Sequence, residues 1–146
     1  MNSCRSVVRH VLPLLYGAGL LLSMAGPALA DEEKPYTVQC EGSKCSVDGS
    51  TYRGWRTYHA FCHTCHSQDA VGSTFAPSLL TRFQQDSMTK EHFVDVVTNG
   101  FSGQVGVMPG WKGNPNVIPR IDDLWAYLNA RSDGALKPGR PTKMKE

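Results

Sequence analysis

The pentad Cys62-His63-Thr64-Cys65-His66 constrains this chain more than any other feature of its sequence. Its C-x-x-C-H pattern is that of a site where haem is attached covalently. Residues three apart on a helix share a face, so both sulfurs can reach the two vinyl groups along one edge of a porphyrin and form thioethers. The histidine that follows then points its imidazole at the iron. The pentad therefore predicts one haem c, bound through Cys62 and Cys65, with His66 as an iron ligand.

Other chemistries of a C-x-x-C pair fit this sequence less well. A thioredoxin-like redox site expects a βαβ pattern, and a zinc site expects a second pair of ligands, and the sequence contains neither. A plain disulfide between Cys62 and Cys65 would leave His66 unexplained. The haem interpretation accounts for all three residues.

Size and composition predict one small domain. The chain has 146 residues and a formal net charge of +2, so a nucleic-acid partner, which selects a strongly basic surface, is not expected. Its 14 glycines and 9 prolines predict long loops between short helices. A domain of this size buries little core by itself, so we expect its loops to pack around a large apolar cofactor.

The first 30 residues have the three-part layout of a secretory signal. Arg5 and Arg9 precede an apolar run from Val11 to Met24, and Ala28-Leu29-Ala30 has the small residues of a cleavage site. The run is shorter than the ~18–20 apolar residues that a membrane span needs. We therefore expect residues 1–30 to be a signal peptide cleaved near Ala30, leaving a periplasmic protein without stable membrane insertion. An uncleaved anchor is the alternative.

Two segments with helical periodicity lie on either side of the pentad. Ser50 is a candidate cap for a helix from Thr51 to Cys65, which places Gly54 and Cys62 on one stripe. The segment Ile121 to Ala130 has apolar residues at helical spacing and two aspartates in its first turn. A glycine inside a helix either admits a close neighbour or is simply tolerated. Both alternatives stay open for Gly54.

A haem carrier needs a second axial ligand, and methionine sulfur stabilises the ferrous form. Beyond the signal, the candidates are Met88, Met108 and Met144. Met144 lies in a polar segment, and Met88 precedes Thr89, which has the position of a cap for a helix from Thr89 to Asn99. Met108 lies in an apolar loop and is followed by Pro109, which stiffens its approach. We predict Met108 as the second iron ligand. The alternative is a core methionine and an iron that is open or bound by histidine.

Pro77 lies eleven residues beyond His66. Its carbonyl could accept a hydrogen bond from the imidazole and fix the orientation of the ring, although an ordinary loop proline is the alternative. The other histidines, His59, His63 and His92, are expected at the surface or the rim rather than on the iron.

Cys40 and Cys45 bracket a short polar segment with strand-like residues on both sides, a pattern typical of a small hairpin. In an oxidising compartment the two cysteines are expected to form a disulfide. So short a loop constrains the unfolded chain only modestly, so the bridge stiffens the hairpin rather than deciding the stability of the fold.

These residues together resemble the class I cytochromes c. The shared motifs are Gly54-x3-Tyr58-x3-Cys62, the pentad, Pro77 with Leu79, Met108-Pro109, and Leu124-Trp125-Ala126-Tyr127-Leu128. The resemblance implies an all-α class I cytochrome c fold, with three to five helices around one covalent haem. Within it we expect an N-terminal extension with a hairpin at residues 31–49, the cytochrome c domain at 50–132 and a polar C-terminal tail at 133–146.

Three stretches resemble more narrowly a bacterial periplasmic subgroup that accepts electrons from pyrroloquinoline-quinone (PQQ) alcohol dehydrogenases. They are Tyr52-x-Gly54-x3-Tyr58-His59, residues 72–77 and residues 130–141. The resemblance implies a monomeric one-electron carrier, not an enzyme, that takes electrons from such a dehydrogenase and passes them to a terminal oxidase or another cytochrome. The alternatives are a generic cytochrome c with another periplasmic donor, and a haem enzyme or ligand sensor in which Met108 is not on the iron.

The partner of such a carrier docks where an edge of the porphyrin is exposed. We expect this edge near residues 62–64 and the loop at 105–112, where Lys112 is the only formal charge. A near-neutral surface predicts that the association rate depends only mildly on salt.

Overall fold

A computed structural model describes residues 33–145, so the predicted signal peptide at 1–30 lies outside the described residues. In chain order the elements are β1 (Val38–Glu41), β2 (Lys44–Val47), α1 (Gly49–Phe61), α2 (His63–His66), α3 (Leu79–Phe83), α4 (Lys90–Asn99), β3 (Phe101–Ser102), β4 (Val107–Met108), a 3-10 turn (Ile118–Arg120), α5 (Ile121–Ser132) and β5 (Thr142–Lys143). Helices dominate, as predicted, and the strands are short. Within this part of the chain, no helix has both the length and the apolar character needed to cross a bilayer.

Helix α1 begins before the predicted cap and ends before the predicted end. Its cap is Asp48, whose carboxylate accepts hydrogen bonds from the backbone and the hydroxyl of Thr51 at 2.9 and 2.7 Å. An aspartate caps as well as a serine and adds a negative charge at the positive end of the helix dipole. Ser50, the residue predicted as the cap, instead donates to Asp123 at 2.6 Å and so links α1 to α5. The helix is interrupted at Cys62, where α2 takes over.

Helices α1 and α5 cross in direct backbone contact at Gly54. A β-carbon at this position would lie 1.9 Å from the carbonyl oxygen of Asp123 and 2.8 Å from the Cβ of Tyr127. No side chain fits between the two helices here. Of the two alternatives that the sequence left open, the close approach is therefore the correct one. The crossing brings the rings of Tyr58 and Tyr127 within 5.3 Å of each other in the core.

Helix α5 is buried on several sides and holds other parts of the chain in place. Its Arg131 is only 7% exposed. The guanidinium donates to the carbonyl oxygens of Leu136 at 2.6 Å and Asp69 at 3.1 Å. The same side chain thus fixes the segment after α5 and the loop after α2.

Strands β1 and β2 form an antiparallel hairpin in which Cys40 and Cys45 lie opposite each other, and the structure joins them in a disulfide. The segment expected to be a polar tail packs onto this hairpin. Its apolar residues Leu136 and Pro141 are buried, and β5 pairs in parallel with β2. The result is a three-stranded sheet of order β1-β2-β5.

The carboxylate of Asp123 connects α1, α5 and the 3-10 turn before it. Arg53 donates two hydrogen bonds to it, both at 2.9 Å, and Arg120 a longer one at 3.4 Å. Burial by itself would raise the pKa of Asp123, but the hydrogen bonds from Arg53 and Ser50 outweigh it and hold the pKa below its usual value. The ionised form is therefore part of the folded structure.

We expect the protein to lose stability in acid partly through Asp123. Because its pKa is lower in the folded than in the unfolded state, its stabilisation is complete above the unfolded value, about 4, and is lost as pH falls through the folded value. Asp123→Asn should lower the free energy of unfolding at pH 7 by about 1–3 kcal/mol and flatten its decline in acid. Urea unfolding at several pH values measures both the free energy of unfolding and its decline in acid. Asp122→Asn, which changes the exposed neighbouring carboxylate, is the control. Parallel pH profiles for wild type and Asp123→Asn would contradict this role.

Candidate functional site

An apolar cavity lies among all five helices, α1 to α5, and the loops that join them. The side chains that line it are Tyr58, Cys62, His66, Leu79, Phe83, Met88, Phe93, Val96, Val97, Met108, Leu124 and Leu128. Three of the predicted site residues, Cys62, His66 and Met108, therefore share one space. Apart from these three and a tyrosine, the lining is hydrocarbon and thioether, which suits a large flat apolar group better than a polar substrate.

The pentad winds into a helical turn at the wall of this cavity. The backbone N–H groups of Cys65 and His66 both donate to the carbonyl of Cys62, at 3.2 and 3.1 Å. Cys62 is half-buried and Cys65 is exposed, and neither forms a disulfide with another described residue. Burial, with a further contribution from Cys65, raises the pKa of the Cys62 thiol to about 12. The side chain of Cys62 therefore lies in apolar surroundings at the wall of the cavity.

His66 is buried and held by the carbonyl of Pro77. Its Nδ1 lies 3.3 Å from that oxygen, as expected from the sequence, and donates to it in the tautomer that leaves a lone pair on Nε2. Burial lowers the pKa of His66 below the ordinary histidine value, and the hydrogen bond to Pro77 opposes this only in part. The imidazole is therefore neutral and fixed in orientation, as an iron ligand requires.

The loop between α2 and α3 is held in a tight conformation that the sequence did not reveal. Ser67 and Ala70 have positive φ angles of 66° and 61°, which are uncommon for residues with a side chain. The hydroxyl of Tyr58 donates to the carbonyl of Ser67 at 2.6 Å, and that of Ser73 to the carbonyl of Cys65 at 2.5 Å. The acceptors in these contacts are backbone carbonyls, which every residue has. The periodicity and spacing of the sequence therefore do not predict them.

Met108 lies in the two-residue strand β4 rather than in an open loop. It is half-buried, and it pairs with Phe101 of β3 in a short antiparallel ladder. The following residues are fastened to α4, because the N–H of Trp111 donates to the carbonyl of Val97 at 2.9 Å. Gly100 at the end of α4 has φ 85°, and a β-carbon there would lie 2.7 Å from the Met108 carbonyl oxygen. The Met108 backbone is thus fixed beside the cavity.

Met88 also lines the cavity, which the sequence interpretation missed. Thr89 caps α4 as predicted, accepting a hydrogen bond from the N–H of His92 at 3.2 Å. Met88 stands just before this cap and reaches the same space as Met108. The cavity therefore presents two thioethers, and an experiment that assigns the iron ligand must compare them.

Large apolar side chains are exposed in the loops beside the pentad. They belong to Val71, Phe75, Phe101, Val105 and Val107, with exposed fractions from 53% to 76%. We call these five residues the apolar rim. Residues 70–81 and 96–111, which contain the rim, include no charged side chain. Exposed apolar patches of this kind mark interaction sites.

Comparison with known proteins places the chain among haem proteins. Residues 49–128 match the family described as "Cytochrome C oxidase, cbb3-type, subunit III". The chain is 38% identical over 122 residues to cytochrome c-553I of Paracoccus denitrificans, covering 80% of this chain and 51% of that protein. It is 36% identical over 98 residues to cytochrome c-555 of Methylococcus capsulatus, covering 66% of this chain and 75% of the relative. The chain thus spans about half the length of the first relative and three quarters of the second.

A solved structure has a similar fold. It is the crystal structure of the c-type cytochrome XoxG from Methylobacterium extorquens AM1, with a TM-score of 0.66 and 35% sequence identity. The similarity covers 80% of this chain and 77% of that one. The family match runs from the start of α1 to within α5, so it contains every residue that lines the cavity.

Proposed function

The chain belongs to the class I c-type cytochromes, and we propose that it carries single electrons in the periplasm from a PQQ-dependent alcohol dehydrogenase to a terminal oxidase or another cytochrome. The observation that carries this proposal is the convergence of Cys62, His66 and Met108 on one apolar cavity with an uncharged apolar rim beside it. The choice of donor is supported by the three stretches that resemble acceptors of such dehydrogenases.

Family membership implies a covalently bound haem c, and the residues present fit it. Cys62 and Cys65 would provide the two thioethers, and His66 and Met108 would be the protein ligands of the iron. Neither cysteine is in a disulfide with a described residue, Cys62 and His66 both line the apolar cavity, and the Pro77 carbonyl orients the imidazole. When bound, the haem supplies an iron that gains and loses one electron.

The protein's own contribution is to keep the ligands and the surroundings fixed. Tyr58, Leu124 and Leu128 form an apolar wall that keeps water away from the site. The Pro77 carbonyl holds the His66 ring, and the short strand β4 fixes the Met108 backbone beside the cavity. Little therefore has to move when the charge of the site changes, which suits repeated one-electron exchange.

The donor is tested by rapid mixing of the ferric protein with alcohol-reduced PQQ dehydrogenases. We expect at least one of them to reduce it within milliseconds to seconds. Because the apolar rim and its loops carry no charge, the rate constant should change by less than about threefold between low and moderate ionic strength. Failure with every such dehydrogenase would leave a generic cytochrome c, and a steep fall with salt would contradict docking at the rim.

The second axial ligand is tested by comparing Met108→Leu with Met88→Leu. A methionine-ligated ferric haem has a weak absorption near the red end of the visible spectrum, from sulfur-to-iron charge transfer. Met108→Leu should abolish it, lower the reduction potential and allow the reduced protein to bind carbon monoxide. Met88→Leu should keep the absorption, since it removes a thioether from the same cavity without touching the ligand. The opposite pattern would make Met88 the ligand, and carbon monoxide binding by the reduced wild type would favour a ligand sensor.

A further inference from the structure

Four aromatic rings form a row along α1 that ends inside the pentad. The ring centroids of Tyr52 and Trp55 are 5.8 Å apart, those of Trp55 and His59 4.7 Å, and those of His59 and His63 6.0 Å. Spacings of three and four residues place all four on one stripe of the helical surface. His63 directly follows Cys62, so the row connects the N-terminal half of α1 to the pentad.

The row lies at the edge of the hydrophobic core, with Tyr52 and Trp55 packed against it. All four side chains are half-exposed and stand outside the fully buried core. The indole Nε1–H of Trp55 is buried without an acceptor among the described residues. The rings as a whole are partly accessible at the surface of the protein.

The outer end of the row is positively charged. The guanidinium carbon of Arg140 lies 5.5 Å from the centre of the Trp55 ring, and its Nη2 donates to the Tyr52 hydroxyl at 3.4 Å. Arg56 is exposed on the same stripe, one helical turn after Tyr52. Across residues 33–145, neither arginine makes an ion pair. We call Tyr52, Trp55, Arg56 and Arg140 the basic aromatic face.

We propose that the basic aromatic face is a second docking site, for an acidic redox protein, and that the row of rings couples it electronically to the pentad. The proposal rests on the proposed carrier function and deepens it, because a carrier must meet both a donor and an acceptor. The apolar rim is uncharged, whereas this face presents two cations to a partner's carboxylates. One electron passes between the carrier and the partner in either direction. No bond forms or breaks, and the rings serve as a tunnelling medium without being oxidised.

The two faces differ in what drives association. A partner at the apolar rim gains by removing apolar surface from water, which depends little on salt. A partner at the basic aromatic face is attracted by charge, and that attraction weakens as ionic strength rises. The two partners of the carrier can then be told apart by their response to salt alone.

A gold electrode coated with a carboxylate-terminated monolayer serves as the acidic probe for the holoprotein. At low salt, the Arg56→Gln, Arg140→Gln double variant should adsorb at least about threefold less than wild type, and Arg140→Lys should adsorb normally. Trp55→Leu keeps both charges, so it should adsorb normally but exchange electrons at least about threefold more slowly. Trp55→Phe restores a ring and should restore the rate. Lys112→Gln, next to the apolar rim, is the control for the loss of a single positive charge elsewhere on the protein.

Equal loss of adsorption in Lys112→Gln and in the arginine double variant would overturn the docking site. An unchanged exchange rate in Trp55→Leu would overturn the role of the rings, and so would a rate in Trp55→Phe as slow as that of Trp55→Leu. A second electrode, coated with an uncharged hydroxyl-terminated monolayer, tests the carrier function without any carboxylate attraction. If wild type gives no reversible one-electron wave on either surface, the carrier function itself fails.

Discussion

Replacing both Cys62 and Cys65 with alanine is expected to give a chain that carries no bound haem and does not fold stably. The cavity beside these residues is lined by side chains from five helices, so without the haem these side chains lose the group against which they pack. A small domain has little other core with which to compensate. The purified variant should have the mass of its polypeptide alone, lack the strong visible absorption of haem and be digested rapidly by proteases.

The Cys40, Cys45 pair provides the matched control, since its double alanine variant also removes two cysteines. That variant should keep the haem and its colour. Its unfolding free energy should fall by no more than about 2–3 kcal/mol, because the bridge closes a very short loop. If instead the Cys62→Ala, Cys65→Ala protein still carried a covalent haem, the assignment of the pentad would be wrong.

Gly54→Ala should produce the largest loss of stability of any single-methyl addition in the helices. Alanine normally stabilises a helix by about 0.8–1 kcal/mol relative to glycine. Here the new methyl would meet the carbonyl oxygen of Asp123 at 1.9 Å, and a backbone atom cannot move aside as a flexible side chain can. We expect the free energy of unfolding to fall by at least about 3 kcal/mol, which is the upper end of the usual range for overpacked core sites. Urea unfolding of the holoprotein measures it.

Gly113→Ala is the control for this experiment. A β-carbon at Gly113 meets no atom within 4 Å, and its backbone is not in the left-handed region. Its stability should stay within about 0.5 kcal/mol of wild type, the range for surface substitutions. A Gly54→Ala protein as stable as this control would show that α1 and α5 do not touch at that residue in solution.

Local signals explain which parts of this structure could be predicted from the sequence. The pentad and the Thr89 cap of α4 each depend on a few neighbouring residues. The contact between His66 and the Pro77 carbonyl was also expected, because a proline in an extended segment presents its carbonyl in a restricted way. Such features follow from the chemistry of short stretches.

The features that could not be predicted from the sequence depend on contacts between distant segments of the chain. Asp48 and Ser50 are both good caps, and the sequence does not say that Ser50 is engaged by Asp123 of another helix. The sequence shows Met88 only as the residue before the Thr89 cap, yet the fold also brings it to the cavity that Met108 lines. The position of Arg140 over Trp55 likewise depends on how the segment after α5 packs. Predicting these features requires the three-dimensional arrangement itself.

The pairing of β5 with β2 has a consequence for handling the protein. β5 covers the outer edge of β2 through Ser46 and Val47, and the N–H of Met144 donates to the Val47 carbonyl at 2.8 Å. Proteolytic trimming of residues 142–145 would leave these backbone groups uncovered, and an uncovered strand edge pairs readily with other chains. Clipped molecules should therefore exchange strands and aggregate during storage while their visible spectrum stays unchanged.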